Sequence, residues 1–87
     1  MSSVMVRRLK RALENRRGKT SEEVETYIYE TFPNIKDEQK VNDFKKILIF
    51  NNEIKIILEY EEPEVILNPI GEFQKYNILK DFKIEEI

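Results

Sequence analysis

Apolar residues recur at helical spacing in the first part of the chain. Between residues 4 and 17, the apolar side chains fall on one arc of a helix: Met5, Val6, Leu9, Ala12 and Leu13. The opposite side is basic and carries Arg7, Arg8, Lys10 and Arg11. This pattern predicts an amphipathic first helix whose apolar stripe packs against a core. Gly18 stands where a glycine in the left-handed conformation would end that helix.

The next segment carries start and stop signals for a second helix. Thr20 and Glu23 have the spacing of a capping box, in which the threonine hydroxyl accepts a hydrogen bond from the backbone three residues later. The second helix is predicted to end near Thr31, because Pro33 disfavours helical geometry at the residue before it. Asn34 is placed to cap a third helix, so residues 20–46 as a whole are predicted to be helical.

Residues 46–60 alternate in the manner of β-strands. Asn51 and Asn52 tolerate positive φ angles and predict a two-residue hairpin turn. That turn length pairs Ile49 with Ile54 and gives the hairpin one purely apolar face: Ile47, Ile49, Ile54, Ile56, Leu58 and Tyr60. The other face is mixed, as expected of a sheet that helices cover on one side.

The remaining residues predict further strands. A turn is expected at 61–63, a third strand at 64–68 and another turn at 69–71. Residues 72–87 fit either a strand or a helix, and we favour extended structure. Together these elements predict a single α+β domain over residues 1–87. It has a basic amphipathic helix within 1–19, helical structure over 20–46 and mainly β-structure over 46–87. Two or three N-terminal helices should pack on one face of a three- or four-stranded antiparallel meander sheet.

The charges are distributed unevenly along the chain. All five arginines lie between residues 7 and 17. Residues 1–19 hold seven basic groups and one acid, a local charge of +6, whereas residues 20–87 hold eight lysines and 16 acids, a local charge of −8. The net charge of −2 conceals this asymmetry. Such a distribution predicts an anionic partner for the basic segment, or two halves that complement each other.

The chain contains neither cysteine nor histidine. Disulfides, thiolate metal ligands and imidazole bases are therefore excluded. We expect a protein that is not an enzyme, with no catalytic residues, no metal and no cofactor. The longest apolar run, at residues 47–50, has four residues, far from the ~18 that span a membrane. We expect a cytoplasmic protein with no membrane partner.

The basic residues are the candidates for a functional site. The predicted nucleic-acid-binding set is Arg7, Arg8, Lys10, Arg11, Arg16, Arg17 and Lys19. Guanidinium groups match the geometry of phosphate. The favoured interpretation is a protein that contacts the DNA or RNA backbone through its first helix. The alternative is a small protein-interaction module, such as a viral or phage inhibitor. Its acidic surface would engage a basic partner site, and its basic helix would support assembly into a homo-oligomer.

Two short resemblances point to other functions. Three helices followed by a hairpin resembles the winged-helix layout, in which the third helix enters the major groove. Residues 36–43 hold three acids and no arginine, which argues against that role. Residues 53–55 have the E-x-K spacing of the PD-(D/E)xK nucleases, which implies a Mg²⁺ site with an upstream aspartate. The nearest upstream acid, Asp43, falls on a predicted helix, so we expect a chance match.

Overall fold

The computed structural model describes residues 3–67 and 73–87, with side chains described at 4–35, 37–61 and 77–87. The elements in chain order are α1 (Ser3–Glu14), α2 (Ser21–Thr31), β1 (Ile35–Asn42), β2 (Lys45–Phe50), β3 (Ile54–Leu67) and β4 (Phe73–Glu86). The four strands form one sheet in sequence order, and each strand is antiparallel to its neighbours. The predicted α+β class, with helices followed by an antiparallel meander, is confirmed.

The boundaries of both helices follow local chemistry. α1 ends at Glu14, somewhat before the predicted residue 17. Gly18 then takes the left-handed conformation, with φ of +83°. The hydroxyl of Thr20 accepts a hydrogen bond from the backbone N–H of Glu23 at 3.2 Å, which confirms the predicted N-cap. α2 ends at Thr31, directly before Phe32 and the proline that follows it.

Both helices pack on the same face of the sheet. Leu9 and Leu13 of α1, with Val24 and Ile28 of α2, are fully buried. They join strand residues in one core, whose members are Leu9, Leu13, Val24, Ile28, Phe32, Leu48, Phe50, Ile54, Ile56, Leu58, Tyr60 and Leu79. Within the described part of the chain, no helix or strand covers the outer face of the sheet, which is the face away from the helices.

The β2–β3 hairpin turns at residues 51–52 as predicted, with φ angles of 51° and 57°. Its loop is nevertheless one residue longer than expected, because Glu53 also belongs to it. The Glu53 N–H donates to the Phe50 carbonyl at 2.9 Å, and the Glu53 carbonyl accepts a hydrogen bond from the Ile87 N–H at 2.9 Å. Phe50 therefore pairs with Ile54 instead of Glu53.

The longer loop exchanges the two faces of β2. Shifting a strand by one residue moves every side chain to the opposite face. Ile47 and Ile49 consequently lie on the outer face, partly exposed, while Leu48 and Phe50 lie against the helices. The predicted apolar face is therefore wrong for β2. It is correct for β3, where the predicted residues are buried in the core: Ile54, Ile56, Leu58 and Tyr60.

The predicted third helix is wrong, because residues 35–42 form the edge strand β1. The helical pattern relied on Val41 and Phe44, which are 46% and 44% exposed and therefore contribute little burial. As a strand, the segment places Glu38 opposite Leu48, within reach of Lys46. The prediction that residues 20–46 are helical is therefore correct only as far as the end of α2. The winged-helix resemblance is also wrong, because it required a third helix where the structure has β1.

β3 continues through Pro63, so the predicted turn at 61–63 and the separate strand at 64–68 are wrong. Glu61 pairs with Ile78 and Glu64 with Tyr76, which leaves one extra residue on β3. Such a bulge accommodates proline, which has no N–H to donate. β4 confirms the extended structure expected near the end of the chain. The predicted turn at 69–71 lies outside the described residues.

Candidate nucleic-acid interface

α1 turns its basic residues toward solvent. Burial of its apolar stripe fixes the rotation of the helix about its axis, because Leu9 and Leu13 are 0% exposed. The predicted basic face is therefore exposed, and we define it as Arg7, Arg8, Lys10 and Arg11. Among the residues that the structure describes, these four form no ion pair with a carboxylate. Within that part of the chain, no carboxylate competes with an external anion for their hydrogen-bond donors.

Three arginines of the basic face line a shallow groove together with Val4. Val4 is 60% exposed, so the groove offers an apolar, solvent-exposed side chain beside the three guanidinium groups. Arg7 and Arg11 stand one helical turn apart, where like charges destabilise a helix by ~0.2–0.5 kcal/mol. An anion placed between these two guanidinium groups would relieve that repulsion.

Arg17 is used within the chain. Its Nε donates to Glu14 Oε1 at 2.8 Å, its Nη1 donates to the Lys80 carbonyl at 2.8 Å, and its Nη2 lies 3.1 Å from Asp81 Oδ1. Its guanidinium carbon also lies 4.9 Å from the centre of the Phe82 ring. The hydrogen bond to Glu14 is the main reason why the pKa of Arg17 is raised. These contacts join the end of α1 to β4, which leaves Arg17 little capacity for a phosphate.

Arg16 is also engaged. Its guanidinium carbon lies 3.5 Å from the centre of the Tyr27 ring, a cation–π contact between the end of α1 and α2. Its Nη1 donates to the Ala12 carbonyl at 2.9 Å and so satisfies one of the free carbonyls at the end of α1. Arg16 therefore supports the packing of the two helices.

Lys19 lies apart from the basic face, in the loop that follows α1. Its carbonyl accepts a hydrogen bond from the Leu79 N–H at 2.9 Å, and its side chain is exposed. That side chain lines an open groove of about 1060 Å³ between the end of α1 and the length of α2. Of the seven predicted residues, the structure thus brings four together on α1 and places Arg16, Arg17 and Lys19 elsewhere.

A polar cluster beneath α2 was not predicted from the sequence. The Lys46 ammonium lies 2.5 Å from Glu25 Oε1 and 2.5 Å from Glu38 Oε1. The Tyr60 hydroxyl donates to Glu25 at 2.6 Å, and the Tyr29 hydroxyl donates to Glu38 at 2.5 Å. The signal available in the sequence was the position of Tyr29 off the apolar side of α2. The cluster ties α2 to three strands.

Burial and hydrogen bonding act in opposite directions on the pKa of Lys46. Burial lowers it, but the hydrogen bonds to Glu25 and Glu38 outweigh burial, so the pKa is raised overall. The pKa of Glu38 is lowered, first by its bond to Lys46. Burial, assisted by the bond to Glu38, raises the pKa of Tyr29 to about 12. Every charged member has a partner, so the cluster is structural in character.

The structure does not support the nuclease resemblance at residues 53–55. Glu53 lies in the hairpin loop and Lys55 on the outer face of β3, so the E-x-K residues do not share one strand. In the described part of the chain, no three acidic side chains cluster closely enough to hold a metal ion. No helix among the described residues has the length and apolarity to cross a membrane.

No family model, curated protein or solved structure matches the chain.

Proposed function

We propose that the protein binds the phosphate backbone of DNA or RNA through the basic face of α1. The observation that carries this proposal is the exposure of four cationic side chains without a carboxylate partner in the described part of the chain. Residues 20–87 hold 16 acids against eight lysines. With so many carboxylates available, a basic face that served only stability would be expected to pair with some of them.

The charge distribution also predicts how a nucleic acid would be bound. Cationic groups on one helix face contact phosphate oxygens, which carry no sequence information. The acidic remainder of the chain would repel a polyanion, so contact should be confined to α1. We therefore expect similar affinity for different sequences, with a Kd of about 10⁻⁴–10⁻⁶ M at physiological salt.

The test is fluorescence anisotropy with labelled duplex DNA and single-stranded RNA over a range of salt concentrations. The logarithm of the binding constant should fall linearly with the logarithm of salt, by about 0.9 for each phosphate neutralised on duplex DNA. If each of the four basic side chains meets one phosphate, the slope is roughly −3.6. The variant Arg7→Ala/Arg11→Ala should flatten it by about two units and weaken binding equally for all sequences.

A matched control separates this surface from general charge effects. Lys80→Ala/Lys83→Ala removes the same two positive charges from exposed positions on β4. That control should bind nucleic acid almost as well as the parent, because it leaves the basic face intact. Absence of binding by the parent protein at about 10 mM salt, where screening is weak, would refute the proposal. Equal losses in the two double variants would refute it as well.

A further inference from the structure

α2 exposes a face of opposite charge to that of α1. Glu22, Glu23 and Glu30 are all exposed, and Thr26 lies between them on the same stripe of the helix. Within the described residues, these three glutamates form no ion pair. Glu25, on the other side of the helix, is the one turned inward to Lys46. We call Glu22, Glu23 and Glu30 the acidic face.

The basic and acidic faces point the same way, out from the sheet. Both helices bury their apolar stripes in one core on one side of the sheet, so their exposed faces are both directed to solvent. The open groove between the end of α1 and α2 is lined by Arg16 and Lys19 and by the three glutamates of the acidic face. Among the described residues, the basic face and the acidic face form no ion pair with each other.

We infer that a second copy of this chain docks on the helical layer, with the basic face of each copy on the acidic face of the other. A two-fold axis that lies in the interface and runs between the helices exchanges left and right. It therefore places α1 of one copy over α2 of its partner, and α2 over α1. The surface formed by the basic and acidic faces is thus complementary to a second copy of itself, which is the requirement for a symmetric two-fold interface.

Charge complementarity is the argument for this occupant. The four cations of the basic face meet the three carboxylates of the acidic face twice in the pair of molecules. Val4, exposed beside the basic face, adds an apolar contact at the same surface. On the described part of the outer sheet face, cations and carboxylates are interspersed, since Lys45 lies opposite Glu59 and Lys55 opposite Glu85.

Dimerisation and the proposed nucleic-acid binding would use the same side chains. A phosphate backbone on α1 would therefore exclude the second copy, and the dimer would exclude the backbone. The dimer does not depend on the proposed function, since it requires no nucleic acid. Added nucleic acid should convert dimers into protomers bound to it only if both hypotheses hold.

Sedimentation equilibrium tests the dimer directly. At about 10 mM salt, the apparent mass should approach twice the 10.5 kDa of one chain as concentration rises. At about 1 M salt, where the screening length is roughly 3 Å, the mass should return to that of one chain. A parent protein that stays monomeric at low salt, even at about 1 mM, would overturn the inference.

Charge reversal makes the test specific. Arg8→Glu/Arg11→Glu changes the charge of the basic face from +4 to 0, and Glu22→Lys/Glu30→Lys changes the charge of the acidic face from −3 to +1. A +4 face and a −3 face can therefore meet only when the two variants are mixed. Each variant alone should be monomeric at low salt, and an equimolar mixture should form a dimer with one chain of each kind, detected by native mass spectrometry. Circular dichroism checks that each variant is folded; Arg8→Gln/Arg11→Gln replaces the first variant if it is not, and should also be monomeric.

The outcomes are separable from those of the proposed function. Dimers that persist in both reversed variants would overturn the inference, as would a mixture that stays monomeric. Nucleic-acid binding is measured on the parent alone by anisotropy. If the parent protein bound no nucleic acid, the proposed function would be refuted. A dimer formed by the mixed variants would still support the inferred pairing of two copies of the chain.

Discussion

The register of the β2–β3 hairpin predicts that two isoleucines of similar sequence context differ in their contribution to stability. Ile56 is 0% exposed and lies between Leu48 and Ile84 on the helix-covered face. Ile49 lies opposite Lys55 on the outer face and is partly exposed. Threonine is the informative replacement at both positions, because it keeps the branched Cβ that strands favour.

The expected losses follow from burial. At Ile56, the substitution removes about two buried carbons at ~0.8 kcal/mol each and buries a hydroxyl at a cost of about 1–3 kcal/mol. Ile56→Thr should therefore lose about 3–5 kcal/mol. A protein of this length has a total stability of about 4–13 kcal/mol, so the variant lies near the limit of folding. At Ile49, the hydroxyl meets water and the loss should be below about 1 kcal/mol.

Urea unfolding followed by circular dichroism measures both losses. The two transitions should have the same dependence on urea, so that the shift in midpoint reports stability alone. If Ile56→Thr does not fold, Ile56→Val should still cost about 0.5–1.5 kcal/mol, and Ile49→Val much less. Equal losses at the two positions would refute the register, because a hairpin with a two-residue loop would bury Ile49 together with Ile56.

Three further predictions concern single residues. Gly18→Ala should lower the free energy of unfolding by about 1–2 kcal/mol, because alanine is strained at this positive φ. The new Cβ itself would meet no atom within 4 Å, and an unchanged Tm in thermal unfolding would contradict the prediction. Lys46→Met should lower the free energy of unfolding in urea by about 1–3 kcal/mol, because it leaves Glu25 without its cation. Adding Glu25→Gln should recover part of that loss, and a Lys46→Met variant as stable as the parent would contradict the prediction. In an alkaline titration followed by ultraviolet absorbance, Tyr29 should ionise near pH 12, and Tyr60 should also resist ionisation because burial raises its pKa. Both pKa values exceed the ordinary value of 10.0, so the stability that these protons confer is intact below pH 10, and the contribution of Tyr29 is lost as pH rises through 12. A constant unfolding midpoint between those values would rule out this linkage.

The parts of the fold that local interactions determine could be predicted from the sequence. Gly18 takes the left-handed conformation shortly after α1 ends and Thr20 caps α2, and both signals act within a few residues. The sheet depended on more distant information. Glu53 could belong to the loop or to the strand, and local propensity does not distinguish a two-residue from a three-residue turn there. β1 depends on contacts with α2 and β2 that no pattern within its own eight residues indicates.

The candidate site divides in the same way. Helical periodicity predicted that Arg7 and Arg11 would face solvent, because that requires only the apolar stripe on the other side. The uses of Arg16 and Arg17 could not be predicted, since their partners, Tyr27 and Asp81, come close only in the folded chain. Composition alone therefore overestimates the number of arginines free to meet an anion.

The contacts of Arg17 have a consequence for the behaviour of the protein at high concentration. β4 is an edge strand, and the unpaired backbone groups of an edge strand can pair with another chain and start aggregation. Lys80 is the extra residue of a bulge on this edge, and Arg17 occupies its carbonyl. Gly18 and Lys19 exchange backbone hydrogen bonds with Leu79 next to it. The loop after α1 therefore blocks this stretch of the edge against strand addition, and its loss should produce fibrous or amorphous assemblies of chains that are still folded.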